Sequence, residues 1–307
     1  MRPPRPNFGE LSPSLEKRQS RLAGSTAHRL PRIGAGGLLW RGLVYAIMYT
    51  LALAMIFPFV WMISTSLKPE DEVFTWPPRL LHWPPVWSNY ADAWQIAPFG
   101  RYFLNTAIVA VSVTGVSLFL NSLAAYAFAR LSFRGRDLLF MLLLATMMIP
   151  FQVTMIPTFL ILKQLGWLDS YLGLTVPGFA GAFGIFMLRQ FMLSIPEDLL
   201  DAARMDGCTE FRIYHQIVLP LCKPALATLA VFTFMGAWND FILPLLVVKS
   251  GEMRTLTLAV SALSSGLYVM SFPLMMAAAT FVIVPVIAAF LFFQRFFTRS
   301  IVLGGLK

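Results

Sequence analysis

Six apolar runs recur along this chain, each broken by at most one charged residue and each long enough to cross a bilayer. A helix needs roughly 20 apolar residues to traverse about 30 Å of hydrocarbon. Spans are therefore expected at about 42–67, 102–129, 138–162, 170–193, 224–248 and 273–293, leaving 255–271 as a short helix or loop on the far side. Composition agrees, because 57% of the residues are hydrophobic and only 13% charged, whereas about a quarter of a soluble domain is charged. The predicted fold class is an all-α polytopic membrane protein with six transmembrane helices.

An even number of spans puts both termini on one side, and basic residues choose which. Eighteen of the 24 Lys and Arg residues fall before the first span, around the second-to-third and fourth-to-fifth connections, or after the sixth. The other side keeps Lys68, Arg79, Arg101, Lys163, Lys249 and Arg254. Both termini and the 194–222 loop are thus expected in the cytoplasm. The net charge of +9 reads as this bias and not as nucleic-acid binding. Residues 1–38 are rich in Pro, Arg, Ser and Gly without an apolar period, and read as a flexible basic tail that touches at most anionic lipid headgroups. The run at 42–67 is too long for the apolar core of a signal peptide and reads as an uncleaved anchor. Residues 39–307 then form the transmembrane domain.

The fourth-to-fifth connection reads SIPEDLLDAARMDGCTEFRIYHQIVLPLCKP, a charged helix-turn-helix pattern in an otherwise lipid-soluble chain. Pro196 suits a first helical position, and Glu197 and Asp198 sit where the helix dipole favours acids, so a first helix should run to about Met205. Gly207 stops it, Thr209 caps a second helix with Glu210 in its first turn, and Pro220 and Pro224 end that one. Two short amphipathic helices outside the bilayer make a docking surface.

Asp201-Ala202-Ala203, Asp206-Gly207, Ile217, Leu219 and Pro220 resemble the EAA loop of ABC-importer membrane subunits, with Asp201 in place of the family's Glu. Asn89-Tyr90, Asn105-Thr106, the AAYAFAR run at 124–130, Met147-Met148-Ile149-Pro150 and the terminal Gly304-Gly305-Leu306-Lys307 are similar to its carbohydrate-importer, maltose-type branch, within the binding-protein-dependent transport family. The resemblance implies a multi-pass permease subunit of a prokaryotic cytoplasmic (inner) membrane that imports a sugar or related polyol. Its partners would be a second homologous permease, an ABC ATPase dimer that binds ATP and Mg, an external solute-binding protein and membrane lipid. The EAA-like loop would couple to the ATPase, with small residues at Ala202, Ala203 and Gly207 suiting close approach. Ser250 and Gly251, in the external turn 248–254, would contact the binding protein, although the residues alone equally allow a plain turn.

Asp240 lies within the fifth span, where a charge costs several kcal/mol unless it is paired or hydrated. Trp238-Asn239-Asp240-Phe241 resembles the family's pattern at this place, which implies a translocation path or gate; the residues alone equally allow a polar knot hydrogen-bonded to a neighbouring helix or subunit. Pro58, Pro150, Pro157, Pro177, Pro244 and Pro285, with Gly178, Gly181 and Gly184, predict a bundle whose broken backbones are re-paired by neighbours, around a cavity or through close packing alone. Trp76, Trp83, Trp87 and Trp94 among prolines in 68–101 read as an interfacial belt or as a platform for a sugar or partner.

No Gly precedes any Lys, so a GxxxxGK phosphate loop is absent, and any ATP hydrolysis belongs to another polypeptide. His28, His82 and His215 are far apart, and neither a zinc cage nor a nucleophile-base pair is legible, so the chain is expected to be neither an enzyme nor a metal or cofactor binder. His215 reads as a packing residue, and Cys208 and Cys222 as reduced thiols beside the cytoplasmic loop. An ion-coupled secondary transporter is the alternative from another class, although it would usually show inverted repeats and several embedded charges; a membrane-embedded enzyme would need a partner for Asp240.

Overall fold

The computed structural model describes residues 35–264 and 271–304. The basic tail before residue 35, His28 within it, the terminal Gly305, Leu306 and Lys307, and 265–270 of the far-side segment lie outside the described residues. Residues up to Pro58 and those from Phe59 onward form two compact units. Helix α1, Ala35–Ser66, begins in the first and ends in the second.

The second unit continues with α2 (Ser88–Ile96), α3 (Phe99–Arg130), α4 (Arg136–Thr146), α5 (Phe151–Gln164), α6 (Tyr171–Thr175) and α7 (Ala182–Leu193). It ends with α8 (Glu197–Met205), α9 (Glu210–Ile213), α10 (Leu219–Leu221), α11 (Lys223–Trp238), α12 (Ile242–Val247), α13 (Leu256–Ser264) and α14 (Phe272–Gly304). Among the described residues, four segments are long and apolar enough to cross a membrane, or up to six if each of two bent helix pairs counts as one span.

Helix α3 is the axis of this unit, packed along both α7 and α11. Its buried face runs through Tyr102, Asn105, Thr106, Val109, Val113, Ser117, Asn121, Ala125, Tyr126 and Ala129, the three-and-four spacing of one helical stripe. Much of that stripe is polar, which is unusual for a helix in lipid unless neighbours need its hydrogen bonds.

The bends supply that need. The expected span at 138–162 is two helices, α4 and α5, meeting at 100°. Pro150 has no N–H to donate and disfavours helical geometry at Ile149, so α4 stops at Thr146 and α5 starts at Phe151. The fourth segment breaks between a 3-10 turn, Val176–Gly178, and α7. There the Gly181 N–H donates to the Asn121 carboxamide oxygen at 3.1 Å, while Asn121 Nδ2 donates to Ser117 Oγ at 2.8 Å. The fifth segment is likewise two pieces, α11 and α12, separated at Asn239 to Phe241.

Close packing accounts for two of the glycines singled out above. A Cβ on Gly184 would lie 2.5 Å from Asn121 Nδ2, and one on Gly178 would lie 2.9 Å from Val113 Cγ1. Gly181 has open space and contributes its N–H instead. Gly184→Val is therefore expected to cost about 1–3 kcal/mol by overpacking, whereas Gly115→Ala, which meets nothing within 4 Å inside a helix, should not destabilise. Thermal unfolding in mild detergent checks both, and equal midpoints for Gly184→Val and wild type would contradict the packing account.

Candidate functional site

The 194–222 loop folds as its residues dictate. Pro196 stands one position before α8, and the helix ends in a Schellman turn: Gly207 has φ +77, Cys208 N–H donates to Ala203 O and Gly207 N–H to Arg204 O, each at 3.0 Å. Gly207 is thus needed for its backbone angle, since a Cβ there would meet nothing. Thr209 Oγ1 accepts from Arg212 N–H at 3.4 Å and caps α9. The backbone then opens into a π turn over Tyr214–Val218, just before Pro220, whose ring cannot donate and would strike the Gln216 carbonyl of a regular α turn. Pro220 does not end the chain's helical course; α10 runs to Leu221 and α11 starts at Lys223 after a 78° bend.

One face of this loop is fused to the end of α3. Leu200, Ala203, Ile213, Tyr214, Val218 and Cys222 are buried in one cluster with Ala125, Tyr126, Ala129, Leu188 and Met192. The Tyr214 hydroxyl meets Ser122 Oγ at 2.8 Å. Ile217 and Leu219 pack partly against the same cluster. The outer face carries Asp201, Ala202, Asp206, Gly207 and Pro220, together with two large apolar side chains, Met205 (88% exposed) and Phe211 (66%). Of the matched small residues, Ala202 lies outward and Ala203 faces the chain's own core.

A charged network that sequence reading missed stitches the two helices to α3. Arg204 donates to Glu210 at 2.9 Å, Asp201 at 2.7 Å and Glu197 at 3.2 Å. Arg130 donates to Glu197, to the Met192 carbonyl at 2.6 Å and to the Ile195 carbonyl. Tyr126 Oη donates to Glu210. The hydrogen bond to Glu210, followed by those to Asp201 and Glu197, holds the Arg204 guanidinium further into its charged form. Burial pushes the Glu210 carboxyl up, but the Tyr126 hydroxyl and Arg204 outweigh it and hold it below its usual range. The three- and four-residue spacing of Glu197, Asp201 and Arg204 was the available sequence signal. His215 is exposed on the π turn and not a packing residue, because the buried positions there are Tyr214 and Val218. Cys208 and Cys222 are free thiols.

Trp238 is buried, at 3% exposure, and its indole N–H donates to the Val282 carbonyl on α14 at 3.2 Å. Asn239 is exposed and donates to Met235 O at 2.9 Å. Asp240 sits in the break before α12, and its carboxylate accepts from Ile242 N–H at 3.1 Å and Leu243 N–H at 3.4 Å. It caps its own chain's helix, satisfying donors that the interruption exposes. Trp238 is thus the one member of this motif in the core, with Asn239, Asp240 and Phe241 outside it.

At the opposite end of α3, Ser250 donates its N–H and its hydroxyl to Asp169 Oδ1, both at 3.0 Å, beside Gly251. Of the tryptophans in 68–101, all four are exposed, and Trp94 also stacks on Phe99 and meets Phe281 edge-on.

The described residues thus form a helical bundle whose apolar segments break beside polar side chains and whose 194–222 loop is ordered by charged hydrogen bonds. The chain belongs to the binding-protein-dependent transport system inner membrane component family, whose pattern matches residues 117–303. It is 37% identical to the arabinooligosaccharides transport system permease protein AraQ of Bacillus subtilis over 84% of this chain and 92% of that protein. It is 36% identical to the sn-glycerol-3-phosphate transport system permease protein UgpE of Yersinia enterocolitica over 81% and 92% respectively. Among solved structures, a bacterial ABC transporter involved in the import of the acidic polysaccharide alginate matches with a TM-score of 0.76 at 26% identity, covering 86% of this chain and 98% of that one.

Because Glu210 ionises more readily in the folded loop than in an unfolded chain, its ion pair contributes stability above its unfolded pKa and loses it as pH falls through the lowered folded value. Amide exchange over 197–213 is expected to rise as pH drops through the acidic carboxylate range, after correction for intrinsic rates. Glu210→Gln should flatten that rise, and an unchanged profile would contradict the assignment.

Proposed function

We propose that this chain is a permease subunit of an ATP-driven importer that moves a sugar or related polyol across a prokaryotic inner membrane. It pairs with a second homologous permease, rests on an ABC ATPase dimer that binds ATP and Mg, and receives solute from an external binding protein. Six spans place both termini and the 194–222 loop in the cytoplasm. Family membership and the substrates named for its relatives support the reading; they do not favour a secondary transporter. The opposed loop sets support the topology, because Arg130 grips the 192–197 segment at one end of α3 while Asn105 grips 252–254 at the other.

The observation that carries the coupling assignment is the two-sided construction of the loop. Its inner face is locked to α3 by Arg130, Tyr126 and Tyr214, while its outer face leaves Ala202, Met205 and Phe211 uncovered. A push delivered there reaches the transmembrane axis through buried contacts and not through a floppy tether. Asn239 and Asp240 then border the path, held by the helix break that Asp240 caps, and the turn bearing Ser250 and Gly251 meets the binding protein.

Purification of the tagged complex from its native membrane tests this. Wild type is expected to bring down an ATPase and a second permease. Ala202→Arg alters only an exposed position of α8, and loss of one central contact of about 2 kcal/mol or more should reduce the recovered ATPase severalfold while the permease pair stays intact. A chain that purifies alone, with no ATPase in the wild-type sample, would overturn the reading.

A further inference from the structure

The 248–254 turn joins α12 to α13 and would be expected to wander, since it is short, polar and solvent-facing. Instead it is held from three directions. Asp169 lies between α5 and α6 and takes both ends of the turn's first half: its N–H donates to the Val247 carbonyl at 2.9 Å, and its Oδ1 accepts from Lys249 N–H, Ser250 N–H and Ser250 Oγ, each at 3.0 Å. The buried Asn105 of α3 takes the second half, donating through Nδ2 to the Glu252 carbonyl at 2.7 Å and the Arg254 carbonyl at 2.9 Å. Thr106 closes the end by accepting the Leu256 N–H at 2.8 Å. Tyr171 donates its hydroxyl to Asn105 Oδ1 at 2.6 Å, which fixes the carboxamide so that its nitrogen faces the turn.

Asp169 does this from φ +56, and among the described residues it is the one non-glycine with a positive φ. Asp and Asn are the side-chain-bearing residues that tolerate that region best. Two successive backbone N–H groups around one carboxylate oxygen form an anion-binding concavity of the kind usually offered to a ligand; here the chain fills it itself. The burial of Asp169 opposes its charge, but the hydrogen bonds of Ser250 and Lys249 win and hold it below its ordinary range, so the latch is ionised at neutral pH.

We propose that Asp169 is the positioning residue of the external turn, holding 248–254 in one preformed shape that the solute-loaded binding protein recognises. The proposal rests on the assignment of that turn to the binding protein. The latch keeps the turn in its competent shape; without it only a fraction of molecules present that shape, and apparent affinity falls by that fraction. Asn105 and Thr106 supply the anchored far end, and Lys249 and Ser250 are the part that Asp169 holds.

The test uses the assembled complex in lipid nanodiscs, with ATPase activity followed against rising concentration of its own solute-loaded binding protein. Asp169→Ala is expected to raise the half-saturating concentration about tenfold while the maximal rate stays within about twofold. Ser250→Ala, which removes one of the three bonds, should give a smaller shift. Asp169→Asn keeps an acceptor oxygen and tolerates positive φ, and should restore half-saturation close to wild type. An unchanged half-saturation in Asp169→Ala would overturn the proposal, as would a fall in maximal rate alone, which marks a merely structural residue. A wild-type complex that its binding protein never stimulates would instead overturn the underlying assignment of the turn.

Discussion

Polar backbone that has no partner cannot rest in hydrocarbon, and this bundle breaks its helices repeatedly. The polar stripe of α3 is what makes those breaks tolerable. Asn105 takes carbonyls of the 252–254 turn, Thr106 takes the first N–H of α13, Asn121 takes the Gly181 N–H in the broken fourth segment, Ser122 meets Tyr214 of the π turn, Tyr126 holds Glu210, and Arg130 gathers the carbonyls before α8. Residues 105 and 130 stand roughly 38 Å apart along a helix of 1.5 Å rise. One helix thus serves the 248–254 turn, the break at 179–181 and the 194–222 loop.

That arrangement links fold to function. In the proposed role the chain would hold three irregular segments at defined places, one to meet a delivery protein, one beside the path and one to receive a mechanical input. Loops normally pay for such roles with disorder. Here each is tied to the same rigid rod, so displacement of one end is carried by packed side chains and buried hydrogen bonds. The exposed ion pairs around Arg204 contribute little individually, about 0.2–1 kcal/mol each. Their value lies in orientation, because Arg204 fixes α8 against α9 while the buried cluster of Leu200, Ile213 and Tyr214 supplies the adhesion.

The parts of this chain that obey local rules were legible in its residues. The two loop helices, the stop at Gly207 and the Thr209 cap follow from capping chemistry within a few positions, and the apolar runs mark where lipid must lie. Counting apolar residues cannot see a bend, however, and the breaks at Pro150 and at Asn239 passed as continuous spans. Asp240 was visible as a costly charge, but its solution, capping the helix that follows it, depends on a break the run length conceals. Contacts between residues far apart leave no local trace: Asp169 reaches Ser250 across 81 positions and Asn105 reaches Glu252 across 147. Asn105-Thr106 drew notice only by resemblance, and Asp169 drew none.

Amide hydrogen exchange in nanodiscs, comparing wild type with Asn121→Leu, probes the dependence of the breaks on α3 most directly. Leu keeps the branch at Cγ but removes the acceptor for Gly181, so exchange over 179–184 is expected to rise by an order of magnitude or more, about 1.4 kcal/mol of lost protection, with 197–213 unchanged. Equal exchange at 179–184 in the two proteins would show that the broken segment is satisfied without α3, and would contradict the account.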